Sequence, residues 1–280
     1  MPSTEEDSRT VTVVSTDRPG FPACGYPPPP RAGPTGPRRR GDPRVGAMSF
    51  TAEMHERYAD LFEAFWAHPF FRGLLDATAS KEAVVHYVAQ DVQYLRAFLR
   101  CYGLGIAKAP DTDWTAFFLD GARLMLEEEP DAHRALVEHF GVDYDGCQAA
   151  RLAPTAQAYA DHMELSGHDT LGVLMAALLP CQWTYTWAAL RAYREQAPGD
   201  DHPFRAWFAF YASEECQALV VDYRDRIDAL AAAAGADERA RMECAFVDSL
   251  YYEVAFWQMA ASGETWQRLP ARVLQPRDAS

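Results

Sequence analysis

The sequence predicts an all-α protein with a single helical bundle. Three observations carry this. From Ser49 onward the apolar residues recur at helical spacing, with no convincing strand. Proline, glycine and N-cap residues fall at the joints between these runs. The runs are long enough for a bundle, and no internal repeat of 20–50 residues interrupts them.

Residues 1–47 differ in composition. They hold ten of the chain's 19 prolines and the basic run Arg38-Arg39-Arg40. Such a segment buries too little apolar surface to offset its ordering entropy, so it reads as a disordered tail. Met48 opens the folded pattern, and one reading sets the natural start there; the other is an ordinary flexible tail. The helical domain then spans about 48–270, followed by a short tail at 271–280.

The first helix is expected over Ala52–Ala67, with Leu61, Phe62, Phe65 and Trp66 on its apolar side. A short helix follows from His68 to about Asp76. Ser80 is a good N-cap, with Glu82 in the first turn of a long helix from Lys81 towards Lys108. Pro110-Asp111 stops it and starts the next, which ends in Glu127-Glu128-Glu129. Pro130-Asp131 opens another to about Phe140, and Val142–Ala153 reads as a loop. Pro154 begins a helix carrying Tyr159 and His162, broken at Gly167. A central helix runs from about Asp169 to Arg194. After the turn Pro198-Gly199-Asp200-Asp201, one helix is expected from Pro203 to about Ala234, with Gly235 as its C-cap. Asp237 caps the last helix, which Gly263 ends.

Pro180 lies inside the central run. Proline lacks a backbone N–H and clashes with the carbonyl four residues back, so a bend or restart is expected there. A restart would put Cys181 at a fresh helix N-terminus, where the dipole favours a thiolate, with Tyr185 on the same face one turn on. The competing reading is a small buried hydrophobe.

The net charge of −14 argues against nucleic acid as the main partner. No apolar run reaches about 18 residues, so no membrane span is expected. The six cysteines are widely spaced with no Cys-x-x-Cys pair, which suits reduced, intracellular usage and a cytoplasmic location. Three carboxylate positions stand out on apolar faces: Asp91, Glu253 and Glu214-Glu215. A buried carboxylate is costly unless paired, so each marks a site or a structural pair. Tyr94, Tyr159, Tyr185, Tyr211 and Tyr251 offer hydroxyl partners. A cysteine nucleophile with two carboxylates in a tyrosine-lined pocket suits chemistry on a flat heteroaromatic ring. No histidine has an acid three residues before it, so the Glu-x-x-His pattern of di-iron bundles is missing. The eight histidines read mostly as surface or capping residues. Glycine-rich phosphate loops are missing as well.

These residues together resemble TenA-type thiaminase II, the aminopyrimidine aminohydrolases of the haem-oxygenase-like fold. The resemblance runs from about Met54 to Ala261. It rests on His68-Pro69-Phe70, Gln90-Asp91-x-x-Tyr94-Leu95, Lys108-Ala109-Pro110-Asp111 and Pro154-Thr155 with Tyr159. Leu179-Pro180-Cys181-x-Trp183-x-Tyr185 matches the catalytic-cysteine stretch. Trp207…Tyr211-Ala212-Ser213-Glu214-Glu215 and Glu253 with Phe256-Trp257 complete the series. The resemblance implies hydrolysis of an aminomethyl-aminopyrimidine in salvage of thiamine breakdown products, extending to thiamine itself. Cys181 and Glu253 would be catalytic; Asp91, Tyr94, Tyr159, Tyr185 and Phe204 would bind substrate. No metal or organic cofactor is implied, and the family's typical assembly is a homotetramer. At Phe204, after Pro203, the family usually carries a tyrosine, so a pocket hydroxyl is missing. Trp187 replaces a much smaller residue. Both departures bear on the exact substrate. Two other readings compete: a metal- or haem-dependent oxidase on the same fold, and a non-catalytic pyrimidine-binding regulatory protein.

Overall fold

The computed structural model describes residues 48–127, 129–196 and 198–267. The readings of residues 1–47 as a disordered tail and of 271–280 as a C-terminal tail lie outside them. The described residues form eleven α-helices and no strand: α1 (Phe50–Arg57), α2 (Ala59–Ala67), α3 (Pro69–Leu75), α4 (Lys81–Lys108), α5 (Thr112–Glu127), α6 (Glu129–Glu138), α7 (Pro154–Ser166), α8 (Leu171–Glu195), α9 (Arg205–Tyr211), α10 (Glu214–Ala233) and α11 (Ala236–Ser262). The all-α class expected from the spacing is borne out. None of these helices is long and apolar enough to cross a membrane.

The caps act as the sequence suggests at several joints. Ser80 Oγ accepts from Ala83 N–H, and His68 Nδ1 accepts from Phe70 N–H with Pro69 in the first turn of α3. The expected loop at 142–153 contains a 3-10 turn over Tyr144–Ala149. Two expected helices are each broken in two. The first breaks at Tyr58, whose hydroxyl donates to Glu243 on α11 at 2.8 Å. The stretch from Pro203 to Ala234 breaks at Ala212-Ser213. There Ser213 Oγ accepts from Cys216 N–H, and Glu214 and Glu215 fill the first turn of α10, a start signal inside a longer helical run. Gly235 opens α11 rather than closing α10, and Asp237 lies within the first turn.

Helix α8 packs along α10 and α11, and α4 along α5, α7 and α11. Trp257 of α11 lies in the middle of the core. Its ring centroid is 4.9 Å from Phe65, 5.0 Å from Tyr185 and 5.3 Å from Tyr87, so α2, α8 and α4 all meet it. Removing a buried side chain of this size costs about 3–5 kcal/mol in a packed core. Gly105 sets the approach of α4 to α5. A Cβ there would sit 2.4 Å from the Phe118 ring, so only glycine fits without displacing that fully buried phenylalanine.

The expected restart at Pro180 does not occur. Helix α8 runs unbroken through it, and Pro180 is buried. The flanking helices hold the segment on both sides. Ser249 of α11 donates its hydroxyl to the Ala177 carbonyl at 2.8 Å, one turn before the proline. Cys181 is therefore mid-helix and gains nothing from a helix N-terminus.

Candidate active site

Four helices supply the residues singled out in the sequence. Asp91 and Tyr94 share one face of α4, Tyr159 comes from α7, Cys181 and Tyr185 from α8, and Glu253 from α11. The fold brings all six together. The Tyr159 hydroxyl donates to Glu253 Oε1 at 2.5 Å. The Tyr94 and Tyr159 rings lie 4.9 Å apart, and the Tyr94 hydroxyl, near enough to Cys181 to act on its thiol, donates to the Met163 sulfur at 3.3 Å. Tyr185 lies over Tyr211 at 4.8 Å. Asp91, Tyr94, Tyr159, Tyr185 and Glu253 are all buried, whereas Cys181 is half-buried. Two open surface clefts, about 300 Å³ beside Pro198 and Pro203 and about 410 Å³ between α5 and α10, share no lining residue with this cluster.

Phe204 is not brought to the cluster. It precedes α9, and its ring packs against His139 and Phe140 at 5.3 and 6.0 Å. His202 Nδ1 accepts from its N–H, which turns the chain so that the ring fills the gap beside α6. Trp187 also points elsewhere: it meets Phe62 and Trp66 edge-on, and the Arg191 guanidinium lies over its ring. Glu214 and Glu215 are exposed at the start of α10. The two departures noted in the sequence thus fall away from the cluster.

Three residues join it instead. His133 and Glu129 of α6 and Tyr211 of α9 extend the site behind Asp91. His133 Nε2 lies 2.9 Å from Asp91 Oδ2, and the Tyr211 hydroxyl donates to Glu129 Oε1 at 2.7 Å. His133 is not a surface or capping residue; it is fully buried. Glu129 is not the end of an acidic run on α5 but the first residue of α6. The available signal was spacing. Glu129 and His133 stand at i and i+4, on one helix face. The same spacing links Glu82 to His86 and Glu164 to His168, so it does not single out this pair.

Electrostatics sets what each group can do. Burial pushes the Cys181 thiol well up, and the charges of Glu253, Glu129 and Asp91 push it further; the Tyr94 hydroxyl works the other way. The resting form is the thiol, the opposite of the thiolate expected from a helix N-terminus. Burial raises Glu253 to about 8, with Asp91 adding to the effect and the Tyr159 hydrogen bond opposing it. Burial likewise raises Glu129 to about 7, against the positive charge of His133. At His133 burial works downward, but the Asp91 contact and the two carboxylate charges prevail and raise it. The buried hydroxyls of Tyr94, Tyr159 and Tyr185 stay neutral, since burial raises all three well above the usual phenol. The cluster therefore combines a thiol, a carboxyl poised near neutral pH and neutral tyrosine hydroxyls, the groups that nucleophilic and acid–base chemistry need.

Asp91, Glu129 and His133 also form the one group of three metal-ligating side chains gathered among the described residues, with ligand atoms within 4.8 Å of one another. Ligands around a tetrahedral ion at ordinary bond lengths sit about 3.3 Å apart or more. The 2.9 Å contact between Asp91 and His133 is that of a direct ion pair instead. Cys101, Cys147, Cys181 and Cys216 are free thiols.

A half-buried cysteine, a glutamate that burial raises to about 8 and a buried aspartate thus gather from three helices of an all-α bundle. The TENA/THI-4/PQQC family profile matches residues 52–263, and the chain belongs to that family. It is 31% identical over 222 residues to an aminopyrimidine aminohydrolase of Halalkalibacterium halodurans, covering 78% of this chain and 98% of that one. It is 33% identical over 223 residues to an aminopyrimidine aminohydrolase of Bacillus subtilis, covering 78% and 92%. Among solved structures, a TenA homologue from P. horikoshii superposes with a TM-score of 0.69 at 24% identity, over 77% of this chain and 99% of that one.

Proposed function

We propose that this protein is a cysteine-dependent hydrolase that removes the exocyclic amine from an aminomethyl-aminopyrimidine, a thiamine breakdown product, in thiamine salvage. One observation carries the reading. Cys181, Glu253 and Asp91, from three different helices, meet in a tyrosine-lined cluster, in a chain about a third identical to aminopyrimidine aminohydrolases.

In this reading Asp91 accepts from the amino group on the ring edge. The Cys181 sulfur bonds to a ring carbon while Glu253 gives its proton to a ring nitrogen and takes the thiol proton in return. The ring electrons then expel the protonated exocyclic amine as ammonia. The methylene left behind adds water to become a hydroxymethyl group, and loss of the Cys181 thiol restores the aromatic ring. The net change is one water consumed and one ammonia released. Tyr159 orients Glu253, Tyr94 orients Cys181, and Tyr185 closes the pocket wall. The same attack extends to thiamine, with the thiazole as leaving group. A cytoplasmic location and assembly as a homo-oligomer belong to the same proposal. The oxidase and regulatory readings are not favoured: the curated relatives carry a hydrolase's name, and a binding protein has no use for a nucleophile paired with a proton donor.

The test incubates the purified full chain with 4-amino-5-aminomethyl-2-methylpyrimidine and, separately, thiamine. Chromatography follows the hydroxymethyl product, and ammonia is assayed in parallel. Product and ammonia in equal amounts from the first substrate are expected. A folded protein that turns over neither substrate would overturn the proposal.

A further inference from the structure

The residues behind Asp91 are more than packing. His133, Asp91 and Glu129 are 0%, 4% and 6% exposed, and three ionisable groups together in a core are costly unless they do something for one another. His133 Nε2 is 2.9 Å from Asp91 Oδ2, yet neither ring nitrogen makes an aligned hydrogen bond. The contact is therefore an ion pair before it is a hydrogen bond. Tyr87 stands edge-on to the imidazole at 6.0 Å, which limits where the ring can turn. Glu129 also approaches the pair, with ligand atoms of the three residues within 4.8 Å of one another, and its own carboxyl is held by Tyr211.

From this arrangement we infer that His133 is a positioning residue for substrate recognition: it holds Asp91 by Oδ2 and presents Oδ1 to the amino group of the pyrimidine. The inference rests on the aminopyrimidine reading above. Its physical basis is simple. A carboxylate free to rotate in a pocket loses orientation each time a ligand binds, and that lost freedom costs affinity. His133 removes that loss by holding Oδ2 in place. Glu129 and Tyr211 serve His133 in turn. A second carboxylate beside the imidazole keeps it charged, and the tyrosine hydroxyl keeps that carboxylate from swinging away. None of the three touches the reacting carbon in this account, so their effect appears in recognition of the amino group and not in the attack by Cys181.

The experiment measures how much the ring amino group contributes to binding, with and without His133. Chemistry is switched off by Cys181→Ser in the full chain. Calorimetry gives Kd for 4-amino-5-hydroxymethyl-2-methylpyrimidine and for the same compound lacking the amino group. A hydrogen bond to a charged acceptor corresponds to about 10- to 150-fold in affinity. In the Cys181→Ser protein the amino group should therefore strengthen binding at least about tenfold. Adding His133→Gln should cut that ratio below about threefold, while Kd for the ligand without the amino group changes little. A purely structural role would weaken both ligands alike and leave the ratio unchanged, and that result would overturn the inference. Should the His133→Gln protein fail to fold, ring-¹⁵N-labelled histidine in the Cys181→Ser protein provides the second measurement. The His133 resonances should move with the amino ligand and stay in place with its analogue; equal response to both would overturn the inference. A Cys181→Ser protein that binds neither pyrimidine overturns the aminopyrimidine reading itself and this inference with it. Binding with an unchanged ratio removes only the role of His133.

Discussion

In the proposed reaction Glu253 is the residue on which proton traffic depends. It is buried among aromatic rings with a tyrosine hydroxyl as its hydrogen-bond donor. That environment disfavours the carboxylate and raises the group to about 8, so it is mostly protonated at neutral pH and ready to donate. The sign follows directly. The useful form is the acid, and it is lost as pH rises through about 8. We expect kcat/KM, which reports the free enzyme, to fall above that pH. Tyr159→Phe removes the donor that favours the carboxylate. Its alkaline limb should move to higher pH, and its maximal rate should drop about tenfold, since positioning is lost while the acid is kept. A pH–rate series on the two proteins checks this; a limb that stays where it was would separate Glu253 from Tyr159.

At the scale of the element, α8 shows how a strong local signal yields to packing. Pro180 predicts an interruption, because it removes one hydrogen bond and crowds the turn before it. The helix nonetheless continues, since α10 and α11 bury it along its length. Ser249 is part of that support. It is fully buried, donates to the Ala177 carbonyl and lies 3.0 Å from His162 Nε2. Ser249→Ala removes the donor to the Ala177 carbonyl and leaves His162 Nε2 with the Ala245 carbonyl at 3.3 Å. We expect a loss of about 1–2 kcal/mol, read as a lower urea midpoint with unchanged slope. The breaks at Tyr58 and Ser213 teach the converse. Ser213 followed by two glutamates was a readable start signal inside a longer helical run. Tyr58 was not readable, because its anchor, Glu243, lies 185 positions away in sequence.

For the whole molecule, the class of fold was legible because helical spacing and capping are local properties. The candidate site was legible in part for a related reason. Asp91, Cys181 and Glu253 are polar groups on apolar faces, and that contrast is visible within one turn of helix. Which faces meet is a tertiary fact. Nothing near Phe204 tells that its ring fills a gap beside His139, and nothing near His133 tells that α6 lays it against Asp91. The thiolate expected at Cys181 failed with the helix restart it depended on. In the proposed reaction a thiol takes its place, one that reacts only when a bound ring and Glu253 take part. The most direct measurement of that claim is single-turnover hydrolysis of the aminomethyl-pyrimidine by the wild type and by Cys181→Ser, with substrate Kd measured for both. The account predicts a rate loss of at least about 100-fold, with Kd unchanged within about threefold. A Cys181→Ser protein that turns over substrate at near the wild-type rate would contradict it.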